Sequence, residues 1–175
     1  MDHAQITLLQ NMPVFGGLKL ETLEFVFARS EPVAVAEGNY FFRQGERGDC
    51  LFVIQSGSIL VEKHWQGTEV EVGRLEKGDC FGEMALIDLQ GRSASVRATS
   101  DCTTVKISRP VLGQLYQHDL EQYAIIMMNM GREVSRRLRL LHEKLFVIDQ
   151  RQKTSPATFE SGEMTEVILM SSAFG

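Results

Sequence analysis

The segment FGEMALIDLQGRSASV, residues 81–96, places one carboxylate and one guanidinium in a run of small and apolar residues. Glu83 and Arg92 lie nine residues apart, and charged side chains near an apolar interior need partners. One interpretation is that they pair with each other. The other is that they bind a ligand, because the residues around them are suited to holding an anion.

The second interpretation follows from the residue types around the pair. Residues 82–87 predict a short helical turn that begins at a glycine, and the first amides of such a turn bind anions. Arg92 adds a permanent charge and a planar fork of donors that fits phosphate, and Ser93 adds a hydroxyl donor. An ionised Glu83 only accepts hydrogen bonds, which suits sugar hydroxyls. Together these groups predict a site for a ribose phosphate.

The residues from Pro32 to about Ile107 predict the β-structure that positions this loop. Short runs rich in β-branched and aromatic residues, such as DCLFVIQSG and SILVEKHW, are separated by glycines at close intervals. This pattern is typical of an antiparallel sandwich or jelly-roll barrel. Alternation in ASVRAT, residues 94–99, predicts that Ala94, Val96 and Ala98 face the core.

Helical patterns flank the predicted barrel. Before it, apolar residues recur at helical spacing at Leu20, Leu23, Val26 and Phe27. After it, Asp119 and Gln122 form a variant of a capping box that opens a helix predicted to end near Ile148. Its heptad-like seam either pairs with a second copy of the chain or packs on the barrel. The seam consists of Met127, Val134, Leu138, Leu141, Leu145 and Ile148.

The predicted organisation is one mainly β domain, residues 1–148, followed by a polar tail, residues 149–175. The tail contains the apolar run VILM, residues 167–170, which docks on the domain or on a partner. Within the domain we expect an N-terminal helical segment at 1–31, a β-barrel at 32–109 with the site loop at 81–94, and C-terminal helices at 110–148.

Composition limits the function classes. The chain has 175 residues, 43% of them hydrophobic and 23% charged, as in an ordinary globular domain. A net charge of −5 argues against wrapping nucleic acid or coating an anionic membrane. The N-terminal MDHAQITLLQ lacks a secretory pattern, and no apolar run is long enough to span a bilayer, so we expect a cytoplasmic protein. Cys50, Cys80 and Cys102 are predicted to be buried, reduced thiols.

The site loop resembles the phosphate-binding cassette of the cyclic nucleotide-binding domain family. That pattern is a Phe-Gly-Glu turn, a small apolar helix, and an Arg followed by a small residue and Ala. Residues 37–61 are similar to the early strands of the family, and the resemblance extends over about residues 10–148, as in the catabolite activator-like sensor domains. The matching cassette residues are Phe81, Gly82, Glu83, Ala85, Leu86, Arg92 and Ala94.

The resemblance implies a role for each site residue. Glu83 accepts the ribose 2′-hydroxyl, Arg92 pairs with the cyclic phosphate, and Ser93 donates to that phosphate. The amides near Gly82 and Ala85 complete the cradle. The implied ligand-binding set is Phe81, Gly82, Glu83, Met84, Ala85, Arg92, Ser93 and Ala94, with Leu141 and His142 beside the base.

The base-reading positions depart from those of transcription activators in the family, which place small hydroxyl residues there. Leu141 would cover the base by apolar contact. His142 would hydrogen-bond an edge of the base, or is instead a solvated surface residue. Selectivity between cAMP and cGMP therefore stays open, with cAMP preferred.

The resulting hypothesis is a stand-alone cyclic nucleotide receptor that forms a homodimer through its C-terminal helix. Ligand-induced movement of that helix would signal to an unidentified protein partner, without a cofactor, a metal or catalysis. The main alternative is a ligand-free dimerising scaffold of the same fold. The presence of both Glu83 and Arg92 favours a working site, because an unpaired buried charge is costly.

Two further alternatives fit the sequence less well. A metal-dependent cupin-type enzyme needs clustered histidines, and only His64 lies in the strand region. A transcription regulator needs a helix-turn-helix motif, and the residues after the long helix do not predict one. Basic residues on that helix are interleaved with Glu133 and Glu143, which is typical of a solvated face. We therefore expect neither direct nucleic-acid binding nor membrane binding.

Overall fold

The computed structural model describes residues 9–154, with side chains through residue 150. Eight strands form two four-stranded antiparallel sheets, with strand orders β1-β8-β3-β6 and β2-β7-β4-β5. The strands are β1 (Glu31–Val35), β2 (Tyr40–Phe42), β3 (Cys50–Ser56), β4 (Ser58–Trp65), β5 (Thr68–Glu76), β6 (Cys80–Phe81), β7 (Ser95–Ala98) and β8 (Cys102–Ser108).

Helices flank the two sheets. They are α1 (Leu20–Phe27), α2 (Met84–Ile87), α3 (Arg109–His118) and α4 (Leu120–Thr154), and a 3₁₀ turn, Pro13–Phe15, precedes α1. The predicted antiparallel β-barrel with flanking helices and a long C-terminal helix is confirmed. No helix within residues 9–154 combines the length and the apolar character needed to cross a membrane.

Strand β3 separates two apolar clusters, which explains its continuous apolar run. Leu51 and Val53 face a cluster that includes α1, α3 and the first half of α4. Phe52 and Ile54 face the cluster between the sheets, which also contains Phe81, Val96 and Ala98. A strand buried on both faces loses the polar alternation of a surface strand. The core orientation predicted for Val96 and Ala98 is confirmed.

The first half of α4 is tied to the N-terminal segment by two buried amide side chains. Gln122 Oε1 accepts hydrogen bonds from the Lys19 amide at 2.8 Å and from Thr22 Oγ1 at 3.2 Å. Asn129 Nδ2 donates to two carbonyl oxygens of the turn before α1. The predicted cap at Asp119 is confirmed, because its Oδ1 accepts the Gln122 amide at 3.1 Å. The Gln122 side chain, however, bonds to the N-terminal segment.

The helix predicted from the spacing of Leu20, Leu23 and Val26 is present, with Leu23 and Val26 buried and Leu20 exposed. One prediction about the helices is wrong in detail. Helix α4 ends at Thr154, so it extends beyond the predicted end near Ile148 into the segment predicted as a tail. Residues 149–154, DQRQKT, are polar but contain neither glycine nor proline, so nothing in them ends a helix.

The described residues fall into two compact units that divide between Arg136 and Arg137. In the second unit, α4 carries exposed apolar side chains, among them Leu138, Leu141, Leu145 and Ile148 from the predicted seam. The apolar run VILM and residues 1–8 lie outside the described residues.

Candidate functional site

The loop predicted as the site begins where β6 ends and turns sharply at Gly82. Gly82 has a φ of +80°, in the left-handed region that favours glycine. Glu83 follows at 3% exposure, and its carbonyl accepts the amides of Leu86 and Ile87, which starts α2. The predicted helical turn after Gly82 is therefore confirmed. It places a carboxylate in a buried position at the start of a helix.

The chain returns to this place at Arg92, where the backbone pairs with the loop between β2 and β3. The Gly45 amide donates to Arg92 O at 2.9 Å, and the Arg92 amide donates to Glu46 O at 2.8 Å. In the same loop, a Cβ atom on Gly48 would lie 2.4 Å from Ala85 Cβ and 3.0 Å from Arg92 Nε. The loop, α2 and the Arg92 side chain therefore pack at a distance that only glycine permits.

The Arg92 side chain is buried, with 5% of the residue exposed. Its Nη1 donates to Cys50 O and to Gly82 O, both at 2.9 Å, and its Nη2 donates to Cys50 Sγ at 3.1 Å. The guanidinium carbon lies 4.1 Å from the centroid of the Phe42 ring, a cation–π contact. Its Nε has no hydrogen-bond partner among the described residues. A buried cation with an unsatisfied donor is suited to an anionic ligand.

The remaining cassette residues divide into a buried set and an exposed set. Phe81 belongs to the aromatic cluster between the sheets and stacks on Phe52, with ring centroids 5.1 Å apart. Ala85 and Ala94 are buried. Met84 is 41% exposed, and the exposed Ser93 has its Oγ 3.5 Å from Met84 Sδ. A thioether is a weak acceptor, so this contact leaves the Ser93 hydroxyl available to a better one.

Leu141 and His142 are both exposed and lie on α4, in the second compact unit. The structure brings together the predicted residues between 81 and 94. The base contact of the two helical residues stays a prediction.

Sequence reasoning missed the residues that hold Arg92. These are Phe42, Gly48 and Cys50, which lie in or beside the loop between β2 and β3. The contact between Arg92 and Cys50 spans 42 residues of sequence. No local spacing signals such a contact, although the two glycines of GERG in this loop predict a tight turn.

Cys50, Cys80 and Cys102 are buried, as predicted, and are free thiols in the structure. Burial raises the pKa of the Cys50 thiol above its ordinary 9.0, and the neighbouring Arg92 opposes part of that rise. The thiol is therefore neutral near pH 7. Within the described residues, no three His, Cys, Asp or Glu side chains cluster so as to hold a metal ion.

Residues 32–119 match the family described as the cyclic nucleotide-binding domain. The cAMP-dependent protein kinase regulatory subunit of Emericella nidulans is 31% identical over 101 residues, which are 58% of this chain and 24% of that protein. The cGMP-dependent protein kinase, isozyme 1, of Drosophila melanogaster is 34% identical over 106 residues, or 57% of this chain and 14% of that protein. The crystal structure of Thermus thermophilus catabolite activator protein has a TM-score of 0.68 and 28% identity, covering 78% of this chain and 63% of that one.

The chain spans less than two thirds of each of these proteins, and no more than about a quarter of the two kinase proteins. The matched residues 32–119 contain strands β2 to β8 and the whole site loop, and they make up half of the chain. The resemblance inferred from the site residues is therefore confirmed. This chain belongs to the cyclic nucleotide-binding domain family.

Proposed function

We propose that this chain is a cyclic nucleotide receptor in which Arg92 binds the cyclic phosphate. The observation that carries the proposal is the buried Arg92 guanidinium, which has neutral acceptors on Nη1 and Nη2 and an unpartnered Nε. A phosphate would supply a charged acceptor on that side. Charge-assisted hydrogen bonds of this kind are the strong ones in proteins.

The other cassette residues complete the ligand contacts. Glu83, buried at the start of α2, would accept the ribose 2′-hydroxyl, because an ionised carboxylate accepts two or more hydrogen bonds. Ser93 would donate to the phosphate, and the amides near Gly82 and Ala85 would line it. Phe81, Met84 and Ala94 would border the ligand rather than bind its charge.

The preferred ligand is cAMP rather than cGMP. The relatives above include proteins named for each nucleotide. The family resemblance implies that a hydroxyl residue at position 93 is compatible with either purine. Leu141 would cover the base, and His142 would hydrogen-bond an edge of it. The choice between the two nucleotides therefore rests on direct titration.

The output would pass through α4 to a second copy of the chain and to a protein partner. The first half of α4 is anchored by Gln122 and Asn129, whereas the second half exposes the seam residues Leu138, Leu141, Leu145 and Ile148. An exposed seam of this spacing suits a homodimer. The ligand shifts this helix only if it binds two conformations of the protein, which differ in the position of the helix, with different affinities. We place the receptor in the cytoplasm, without nucleic acid as a partner.

Isothermal titration calorimetry of the full chain with cAMP, cGMP and adenosine tests the receptor proposal. We expect saturable binding of cAMP, weaker binding of cGMP, and binding of adenosine at least ~100-fold weaker, since adenosine lacks the phosphate that Arg92 would hold. If neither cAMP nor cGMP bound, the proposal would be overturned and the dimerising scaffold would be favoured.

The output proposal has its own test. Affinity capture with the full chain as bait, with and without the preferred nucleotide, should recover a protein whose amount depends on the nucleotide. An identical set of captured proteins in both conditions would contradict signalling to a partner.

A further inference from the structure

The two sides of the Arg92 guanidinium are held differently. On one side, Nη1 donates both of its hydrogens to the backbone, one to Cys50 O and one to Gly82 O, each at 2.9 Å. On the other side, Nε has no hydrogen-bond partner among the described residues, and Nη2 donates to Cys50 Sγ at 3.1 Å. The backbone thus holds Nη1, whereas Nη2 has a thiol as its partner and Nε has none among the described residues.

In other arginines of the protein, the edge of the guanidinium formed by Nε and Nη2 binds a carboxylate. Three other arginines donate from both Nε and Nη2 to the two oxygens of one carboxylate, at distances between 2.6 and 3.3 Å. This bidentate geometry suits planar and tetrahedral anions alike. The three pairs are Arg97 with Glu62, Arg136 with Glu133, and Arg74 with Glu71.

The thiol is a weak substitute for such an anion. Cys50 is neutral, because burial raises its pKa, and a thiol sulfur is a poor acceptor. It nevertheless satisfies one donor of the guanidinium. Arg92 as a residue is only 5% exposed, so that donor would otherwise have little access to water as a hydrogen-bond partner. An anion that accepted hydrogen bonds from Nε and Nη2 of Arg92 would replace the thiol without disturbing the two hydrogen bonds that Nη1 donates to the backbone.

We propose that the Cys50 thiol occupies the place on the Arg92 guanidinium that the ligand phosphate takes, and that Cys50 thereby sets nucleotide affinity through Arg92. This inference rests on the receptor function proposed above. Cys50 is a positioning residue, because it acts on the ligand through Arg92. Binding affinity reflects the difference between the free and bound states. A stronger acceptor at position 50 therefore stabilises the free state and weakens binding, and the loss of the acceptor strengthens binding.

A graded series of substitutions tests this inference. Cys50→Ala removes the acceptor, Cys50→Ser replaces it with a hydroxyl, and Cys50→Asp replaces it with a carboxylate. We expect the cAMP Kd to fall about threefold to tenfold for alanine, to rise about threefold to tenfold for serine, and to rise at least ~100-fold for aspartate. Calorimetric titration gives each Kd.

Cys102 supplies the matched control. It is buried in the same cluster between the sheets, and burial raises the pKa of its thiol as well. The hydrogen bond that Arg92 donates to a thiol goes to Cys50 and not to Cys102. Cys102→Ala and Cys102→Ser should leave the cAMP Kd within about twofold of wild type. Thermal unfolding of every variant shows whether changes in affinity merely follow changes in stability.

Measuring the cAMP Kd of the position 50 variants in an Arg92→Lys background distinguishes an effect through Arg92 from an effect of packing. Lysine keeps a positive charge for phosphate but has no Nε/Nη2 edge. In this background the alanine and serine substitutions at position 50 should differ by less than about twofold in Kd. An order of Kd that tracks the loss of thermal stability, or one that persists in the Arg92→Lys background, overturns the inference while leaving the receptor function intact. If the wild-type chain binds no cyclic nucleotide, both proposals fall.

Discussion

Arg92 and Arg97 lie five residues apart, and the protein holds them in opposite ways. Arg97 on β7 donates from Nε and Nη2 to the Glu62 carboxylate on β4, at 3.3 and 2.6 Å. Arg92 in the cassette donates to two carbonyl oxygens and a neutral thiol, and its Nε has no partner among the described residues. The fold therefore supplies the countercharge of Arg97, whereas for Arg92 we propose that the ligand supplies it.

The surroundings of Glu62 show what a structural ion pair needs. Glu62 is 5% exposed, and Tyr40 Oη donates to its carboxylate at 3.2 Å, alongside the bidentate Arg97. The hydrogen bonds from Arg97 lower the pKa of Glu62 more than its burial raises it. A buried carboxylate that stays ionised in this way belongs to the framework of the sheet. Burial of a charge alone therefore does not identify a binding site. A structural charge has a charged partner within the fold, whereas a charge that binds a ligand has neutral acceptors or unpartnered donors.

Removal of each arginine should separate these two roles and gives the largest expected effect. Arg92→Ala should weaken cAMP binding at least ~100-fold, because several charge-assisted hydrogen bonds to phosphate are lost. Arg97→Ala should leave the Kd within about twofold but lower the free energy of unfolding by about 2 kcal/mol, because Glu62 loses its partner in a mostly buried place. Calorimetric titration and urea unfolding measure the two quantities.

The reverse pattern would contradict the roles assigned to Arg92 and Arg97. If Arg97→Ala weakened nucleotide binding as much as Arg92→Ala did at equal stability, the Arg97–Glu62 pair would belong to the binding site. If Arg92→Ala left the Kd unchanged, the buried guanidinium would be a structural group.

Gly82→Ala should come next in size. Alanine at a φ of +80° is strained, and its Cβ would lie 2.6 Å from Arg92 Nη1, so the guanidinium must move. We expect cAMP binding to weaken about tenfold to thirtyfold. Gly67→Ala is the matched control, because Gly67 has a φ of +83° and open space around its Cβ position. It should carry the backbone strain alone, about 1 kcal/mol in unfolding, with an unchanged Kd.

Sequence reasoning could predict the part of the site that is local in the chain. Glu83, the turn at Gly82, the short helix and the return at Arg92 lie within fourteen residues, so residue types and spacing were enough to propose a ribose phosphate site. The strands around it followed from glycine-punctuated apolar runs, since each run is long enough to show its own pattern.

The missed contacts share a physical reason. Cys50 and Phe42 meet Arg92 only because the loop between β2 and β3 folds onto the cassette, and that depends on strand register. In the sequence, Glu62 looks like a charged residue of a surface strand. In the structure it is buried and forms an ion pair with Arg97. The length of α4 was underestimated because the polar residues after Ile148 look like a tail, although they are compatible with a helix.

The pH dependence of stability should sharpen the role of Glu62. Because the pKa of Glu62 is lowered in the folded state, its contribution is fully present above the ordinary value of about 4.5 and is lost as the pH falls through the lowered value. The difference in unfolding free energy between the wild type and Glu62→Gln should therefore shrink below about pH 4.5. Urea unfolding at pH 6, 4 and 3 measures it. A difference that stayed constant with pH would mean that ionised Glu62 gains nothing from Arg97.

Two uncharged residues, Ser93 and Ser95, should differ in the same way as the two arginines, but with smaller effects. Ser93 is exposed, and its hydroxyl donates to the weak acceptor Met84 Sδ. Ser93→Ala should weaken cAMP binding about threefold to fivefold at unchanged stability, because one neutral donor is lost.

Ser95 is buried on β7, and its Oγ accepts the Gln44 amide at 3.0 Å. Ser95→Ala should lower the free energy of unfolding by about 1 kcal/mol without changing the Kd, because it leaves that amide without its acceptor. Equal effects of the two substitutions on the Kd would show that β7, and not the cassette alone, shapes the binding site.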